Sequence, residues 1–185
     1  KIDVVYNGVT EGFFERSAEE KTRCREKYSK GQPYFLFVGS MHPRKNISLL
    51  MRAFNTFKKE TNAPHKLILA GPVFWGEGEM QKTYDALEHK EDILLTGRVS
   101  EEDLFQLYSA AFALTYIPYF EGFGIPLVEA MASGLPIITA NVTSMPEVAG
   151  DAALLVNPKD ESEIKNAMIR LMQDDVLVKK LRNAS

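Results

Sequence analysis

The sequence holds a single cysteine, Cys24, among 185 residues, so no disulfide can form within the chain and no cysteine cluster can bind a metal. Cys24 itself is expected to be an unreactive thiol on a helix. There is no signal-like apolar run near the N-terminus and no apolar stretch long enough to span a bilayer. A cytoplasmic protein without a transmembrane segment is therefore expected. There is no basic block either, and the net charge of −3 argues against a nucleic-acid surface. His42, His65 and His89 share no metal-ligand spacing, and each is read as an ordinary surface residue. Asp174-Asp175 is read as a helix boundary and not as a metal-binding pair. No Gly-x-Gly-x-x-Gly fingerprint follows a strand and no P-loop is present, which weakens a dinucleotide oxidoreductase or an NTPase. Repeats, linkers and low-complexity segments are also missing. The chain starts at Lys1 and runs straight into IDVVYNGV, so it reads as a piece of something longer.

What is present is ordinary for a globular protein: 45% hydrophobic and 25% charged residues, over a length that suits one domain, 1–185, with a substantial core. Short apolar runs alternate with amphipathic ones. Ile2 to Tyr6 reads as a strand ended by Asn7-Gly8, and Ser17 with Glu20 is a capping-box signature that opens a helix to about Tyr28. Tyr34 to Val38 is apolar throughout, as a strand covered on both faces must be. Gly39 to Asn46 is then a turn into a helix that Asn46 can cap and that presents Ile47, Leu50, Met51, Phe54 and Phe57 on one face. Leu67 to Ala70, Ile93 to Leu95, Ala113 to Tyr116, Pro136 to Thr139 and Ala153 to Val156 read as further strands. Ser100 with Asp103 and Asp160 with Glu163 cap the helices between them or after them, and Val176 starts a last one. Trp75 to Gly78 reads as a loop, and Phe74 and Trp75 beside it are expected to pack rather than to form a lid. The alternation predicts an α/β fold, a doubly wound parallel sheet with helices on both faces, whose ligand sits at the carboxyl ends of the strands.

The most informative stretch is PYFEGFGIPLVEAMASGLPIIT, Pro118 to Thr139. Gly122 and Gly124 let backbone amides approach a ligand without a Cβ in the way, and Pro126 fits the first turn of the helix that follows. Such a junction aims unpaired N–H groups and the positive end of a helix dipole at an anion, typically a phosphate. The dipole contributes only about 0.3–1 kcal/mol, so a diphosphate would also need cations, for which Arg44 and Lys45 are the candidates. Glu121 and Glu129 flank the same turn. A carboxylate beside a diphosphate would be repelled, so both are expected to accept hydrogen bonds from hydroxyls. Sugars at both ends of a diphosphate describe a nucleoside diphosphate sugar.

EGFGIPLVEAMASG resembles the Glu-x7-Glu motif in the donor-binding, C-terminal domain of retaining family 4 (group 1) glycosyltransferases, two-domain enzymes of the GT-B architecture. YNGV, VGSMHPRKN, LILAGP, LTGRVSEEDLFQLYSAA and LLVNPKD extend the resemblance, in family order, over essentially the whole chain. It implies a Rossmann-like lobe that binds a nucleoside diphosphate sugar, with an N-terminal acceptor-binding domain lying outside this sequence. It also implies transfer of a hexosyl unit to an acceptor hydroxyl with retention, no metal and no other cofactor. The commonest role in the family is bacterial polysaccharide synthesis, with any contact to the inner membrane face made through the other domain.

By the same resemblance, Lys45 is a phosphate ligand, Glu129 holds the ribose and Glu121 lies nearest the transferred sugar. Gly39 and Ser40 line the diphosphate loop, Gly122, Phe123, Gly124 and Ile125 supply backbone to the donor, and Arg98 and Val99 stand where the nucleobase is held. Ser40 departs from the arginine that many members carry after the glycine; either Arg44 supplies that charge or the site binds more weakly. Without the resemblance, Arg44 and Lys45 read better as surface cations beside a helix start; with it Lys45 reads as a ligand, while Arg44 and Arg98 read equally well either way. Two other classes stay open: a noncatalytic nucleotide-sugar-binding module and a Rossmann oxidoreductase using a nicotinamide cofactor.

Overall fold

A computed structural model describes residues 5–72 and 78–184. Six strands form one parallel sheet: β1 (Tyr34–Val38), β2 (Lys66–Ala70), β3 (Ile93–Gly97), β4 (Ala113–Tyr116), β5 (Ile137–Ala140) and β6 (Ala153–Val156). Their order across the sheet is β3-β2-β1-β4-β5-β6. The helices are α1 (Ala18–Ser29), α2 (Ile47–Thr61), α3 (Glu79–Asp85), α4 (Glu101–Ala110), α5 (Ile125–Ala132), α6 (Met145–Ala149), α7 (Glu161–Gln173) and α8 (Asp175–Asn183). Contacts group α2 with α3 and α7, and α4 with α1 and α5, so the sheet is covered on both faces.

The central strands are apolar because both faces must be. Tyr34, Phe35, Leu36 and Phe37 of β1 are fully buried, as are Leu67, Ile68 and Leu69 of β2. Each such large side chain contributes about 1.5–3 kcal/mol by leaving water. β1 pairs with β2 from Tyr34–Lys66 to Val38–Ala70, and with β4 at Phe35–Ala113 and Leu36–Leu114. Helix α2 buries Ile47, Leu50, Met51, Phe54 and Phe57, as its apolar spacing requires. The capping box of Ser17 and Glu20 is formed, Ser100 accepts from the Asp103 amide, and Asp160 accepts from the amides of Ser162 and Glu163. Asp174 closes α7 and caps α8 through the Leu177 amide.

Three expectations are corrected. Val5 and Tyr6, the described part of the expected first strand, lie in no strand; Lys1 to Val4 are outside the described residues, as are Phe74 and Trp75. Asn46 stands at the start of α2 but does not cap it with its side chain: its φ is 63°, and its Nδ2 donates instead to Ile117 O at 3.2 Å and Pro158 O at 2.7 Å. His65 is not a surface residue. It is 7% exposed, stacked on Phe35 and edge-on to Phe57 and Phe112, and among the described residues neither ring nitrogen has a hydrogen-bond partner.

Cys24 is buried beside the Tyr34 hydroxyl, and burial raises its pKa, which fits an inert thiol. No helix among the described residues is long and apolar enough to cross a membrane. Those residues also hold no cluster of three or more His, Cys, Asp or Glu side chains able to bind a metal ion.

Candidate functional site

The order of the strands creates the site. β1 and β4 are neighbours, yet the chain leaves β1 toward α2 on one face and β4 toward α5 on the other. Such a reversal is where ligands of doubly wound sheets sit, in the crevice outside the carboxyl ends of the strands.

The β1 loop folds into a 3₁₀ turn, Pro43–Lys45, capped by His42, whose Nδ1 accepts from the Arg44 amide at 3.2 Å. The turn carries Lys45 inward to 8% exposure and leaves Arg44 exposed. The β4 loop is stitched to it by the Tyr119 amide, which donates to Arg44 O at 2.9 Å. Across the crevice Glu121 receives three donors on one oxygen. Arg44 Nη1 donates to its Oε2 at 2.8 Å, the Tyr116 hydroxyl donates to the same atom at 2.7 Å, and Lys45 Nζ completes the set. Lys45 Nζ also donates to the Tyr116 hydroxyl. Burial alone would raise the Glu121 pKa, but hydrogen bonds from Lys45, Tyr116 and Arg44 outweigh it and bring the value down to about 2. Glu121 is thus an anion held between two cations, and the cluster keeps a net positive charge.

The turn after Glu121 is fixed from behind. Ser144 Oγ donates to Glu121 O at 3.0 Å and to Phe123 O at 3.2 Å. Gly124 has φ 97°, and a Cβ there would lie 2.5 Å from Met145 Cε, so this position requires glycine. Gly122 has open space around it, while Ile125 is half exposed and Phe123 half buried. Pro126 sits in the first turn of α5, as its fixed φ allows. One turn along, Glu129 accepts from the Tyr108 hydroxyl at 2.6 Å. Burial raises its pKa and the Tyr108 bond opposes that rise. Among the described residues no hydrogen bond reaches the second oxygen of either Glu121 or Glu129, so each carboxylate has one oxygen tied to a tyrosine and one available.

Of the residues singled out from sequence, Arg44, Lys45 and Glu121 meet directly, and Gly122, Phe123, Gly124, Ile125 and Glu129 continue from them along the turn and α5. Gly39 and Ser40 begin the β1 loop; a Cβ on Gly71, after β2, would fall 2.1 Å from Gly39 O, which locks the two strand ends together. Exposed Arg98 and half-buried Val99 follow β3, on the same edge of the sheet but beyond β2. Tyr116, Tyr108 and Ser144 escaped the sequence reading as site residues, and Asn46 was read only as a helix cap. Tyr116 had one signal, its place as the last residue of a strand that leads into the glutamate turn.

Residues 19–185 match the family model described as Glycosyl transferases group 1. O-antigen chain mannosyltransferase B of Escherichia coli is 38% identical over 164 residues, which make up 88% of this chain and 43% of that protein. The chain therefore spans less than half the length of this curated relative. Among solved structures, Anabaena Alr3699/HepE in complex with UDP superposes with a TM-score of 0.85 at 21% identity, covering 97% of this chain and 50% of that one. The C-terminal domain of a glycosyl transferase group 1 family protein (LpcC) from Francisella tularensis superposes with a TM-score of 0.80 at 20% identity, covering 95% and 93%.

Proposed function

Since the chain belongs to the group 1 glycosyl transferases, we propose that it is the donor-binding domain of a retaining hexosyltransferase whose donor is a nucleoside diphosphate sugar. A mannosyl group is the proposed cargo, supported by the name of the Escherichia coli relative, and polysaccharide synthesis the proposed role. The observation that carries the reading is the convergence of Arg44 and Lys45 from one loop with Glu121 from another, at the crevice between β1 and β4.

In this reading the diphosphate lies across the crevice. As the bond from the anomeric carbon to the diphosphate oxygen breaks, negative charge builds on the leaving group. Lys45, Arg44 and the N-terminal amides of α5 stabilise that charge. Two side-chain cations do this neutralising, and the proposal assigns no metal. Glu129 accepts from the ribose hydroxyls through its available oxygen, and Glu121 from a hydroxyl of the sugar; charge-assisted bonds of this kind are worth about 1.5–3 kcal/mol each. Retention follows if the acceptor hydroxyl attacks from the side the diphosphate leaves and passes its proton to the departing oxygen. The acceptor is proposed to be held by a further domain, which the greater length of the relative supports.

Calorimetric titration with UDP, GDP and ADP, each with and without EDTA, tests the proposal. One nucleotide binding without metal, and losing affinity in Glu129→Ala, is the expected result and names the base. Absence of binding for all three, in this chain and in a chain extended to full length, sinks it.

A further inference from the structure

We infer that Tyr116 is a positioning residue of the donor site, whose hydroxyl sets the distance and direction between Lys45 and Glu121. The inference rests on the nucleotide-binding reading above and assigns a role to a residue that touches neither phosphate nor sugar.

The ring of Tyr116 has no freedom. It is 1% exposed and stacks on Phe37 of β1, with centroids 5.8 Å apart and an interplanar angle of 16°. Its backbone is pinned from the other side by Thr139 Oγ1, which donates to Tyr116 O at 2.6 Å. Only the hydroxyl reaches the crevice, and it arrives between the two loops. There it accepts from Lys45 Nζ and donates to Glu121 Oε2, so its two roles have fixed directions. Burial, reinforced by the Glu121 carboxylate, holds its pKa well above the ordinary tyrosine value, so the proton that points at Glu121 stays in place.

The consequence is a matter of valence. An ammonium group has three N–H bonds. Among the described residues Lys45 directs one to Tyr116 and one to Glu121, which leaves a single N–H, with its direction set, for an anionic oxygen in the crevice. Glu121 in turn is gripped by one oxygen and offers the other. A phenylalanine at position 116 would keep the stack on Phe37 and the fit of the ring. It would release Lys45 to rotate about Glu121, so that the cation is present but no longer aimed.

The test compares a nucleoside diphosphate with its monophosphate, which lacks the phosphate that a single aimed N–H would serve. For whichever of UDP, GDP or ADP the unsubstituted chain binds, Tyr116→Phe should weaken the diphosphate by about tenfold and leave the monophosphate unchanged. In a Lys45→Met background the same substitution should have no further effect on the diphosphate, because the two act as a unit. Equal losses for both nucleotides, or additive losses with Lys45→Met, overturn the inference and leave the donor-site reading standing. Failure of the unsubstituted chain, and of a full-length one, to bind any of the three removes both. Carbon NMR of the unsubstituted chain gives an independent measure: Glu121, faced by Arg44, Lys45 and Tyr116, should stay ionised below the ordinary carboxylate range. Tyr116→Phe removes one of those three donors and should raise the value; a Glu121 titration that this substitution leaves unmoved overturns the role given to Tyr116.

Discussion

At Glu129 burial pushes the carboxyl up while the Tyr108 hydroxyl pulls it down, and the balance leaves it raised. If the ionised form is the one that accepts from ribose hydroxyls, nucleotide binding should fade with falling pH while still above the ordinary glutamate range. Tyr108→Phe removes that lowering contribution, so it should shift the fading to higher pH; calorimetric Kd against pH reads both effects, and an unmoved profile contradicts them. His65 supplies a second titration. Burial, then the charges of Lys58 and Arg25, lower its pKa to about 4. The unfolded chain therefore binds a proton that the folded chain refuses. Stability from this group is complete above the free imidazole value of about 6.5 and is lost as pH falls toward about 4, by at most about 3 kcal/mol. Urea unfolding at about pH 7 and about pH 5 should show that loss, and His65→Phe should reduce it. Nothing beside His65 in the sequence reveals its burial. The rings around it come from β1, α2 and the residue before β4, so its environment is made only by folding.

Among elements, the features that could be read from sequence are those whose partners lie within a turn. Ser17, Ser100, Asp160 and Asp174 all cap amides two or three residues away, and the residue types alone announce it. Asn46 has the right type and place, yet its partners lie 71 and 112 residues on, where no local pattern reaches. The glycines of the β4–α5 turn divide in the same way. Both are plain in the sequence, but only Gly124 has a backbone that a side chain would strain. Gly124→Ala should cost about 1–3 kcal/mol of stability, and Gly122→Ala less than about 0.5 kcal/mol. If the Gly122 backbone faces the donor, as the family resemblance implies, Gly122→Ala should nonetheless weaken nucleotide binding. Thermal melts and calorimetry on the two variants separate the effects, and a Gly122→Ala protein that binds normally removes Gly122 from the site.

For the molecule as a whole, the alternation of short apolar strands with amphipathic helices was sufficient to predict the doubly wound parallel sheet, which is the fold of a GT-B lobe. The strand order was not legible, because any order of parallel strands satisfies the same alternation. That order is what brings Arg44 and Lys45 to Glu121: the sequence placed all three around one diphosphate, but not the direct ion pairs between them. Arg98 and Val99 show the converse, lying on the expected edge with no described contact to the cluster. If acceptor chemistry belongs to a further domain, these 185 residues should bind nucleotide and transfer nothing. Multiple-turnover transfer by them alone to an added acceptor, followed by release of nucleoside diphosphate, contradicts this.

The seam between the two halves of the sheet also bears on the rates of opening and closing. β1 joins β2 through five residue pairs but joins β4 through only two. The side chains that bridge the loops above that seam are 76 residues apart in the chain. Both loops are set in place by the strands that precede them, so these contacts are expected to form after the sheet, which φ-values at Lys45 and Glu121 near zero would bear out. A ligand clasped by both loops should therefore act after the folding barrier, slowing escape from the native state while leaving the rate of its formation unchanged. At a hundredfold excess over Kd the gain is about 2.7 kcal/mol, and stopped-flow traces should register nearly all of it in the unfolding limb.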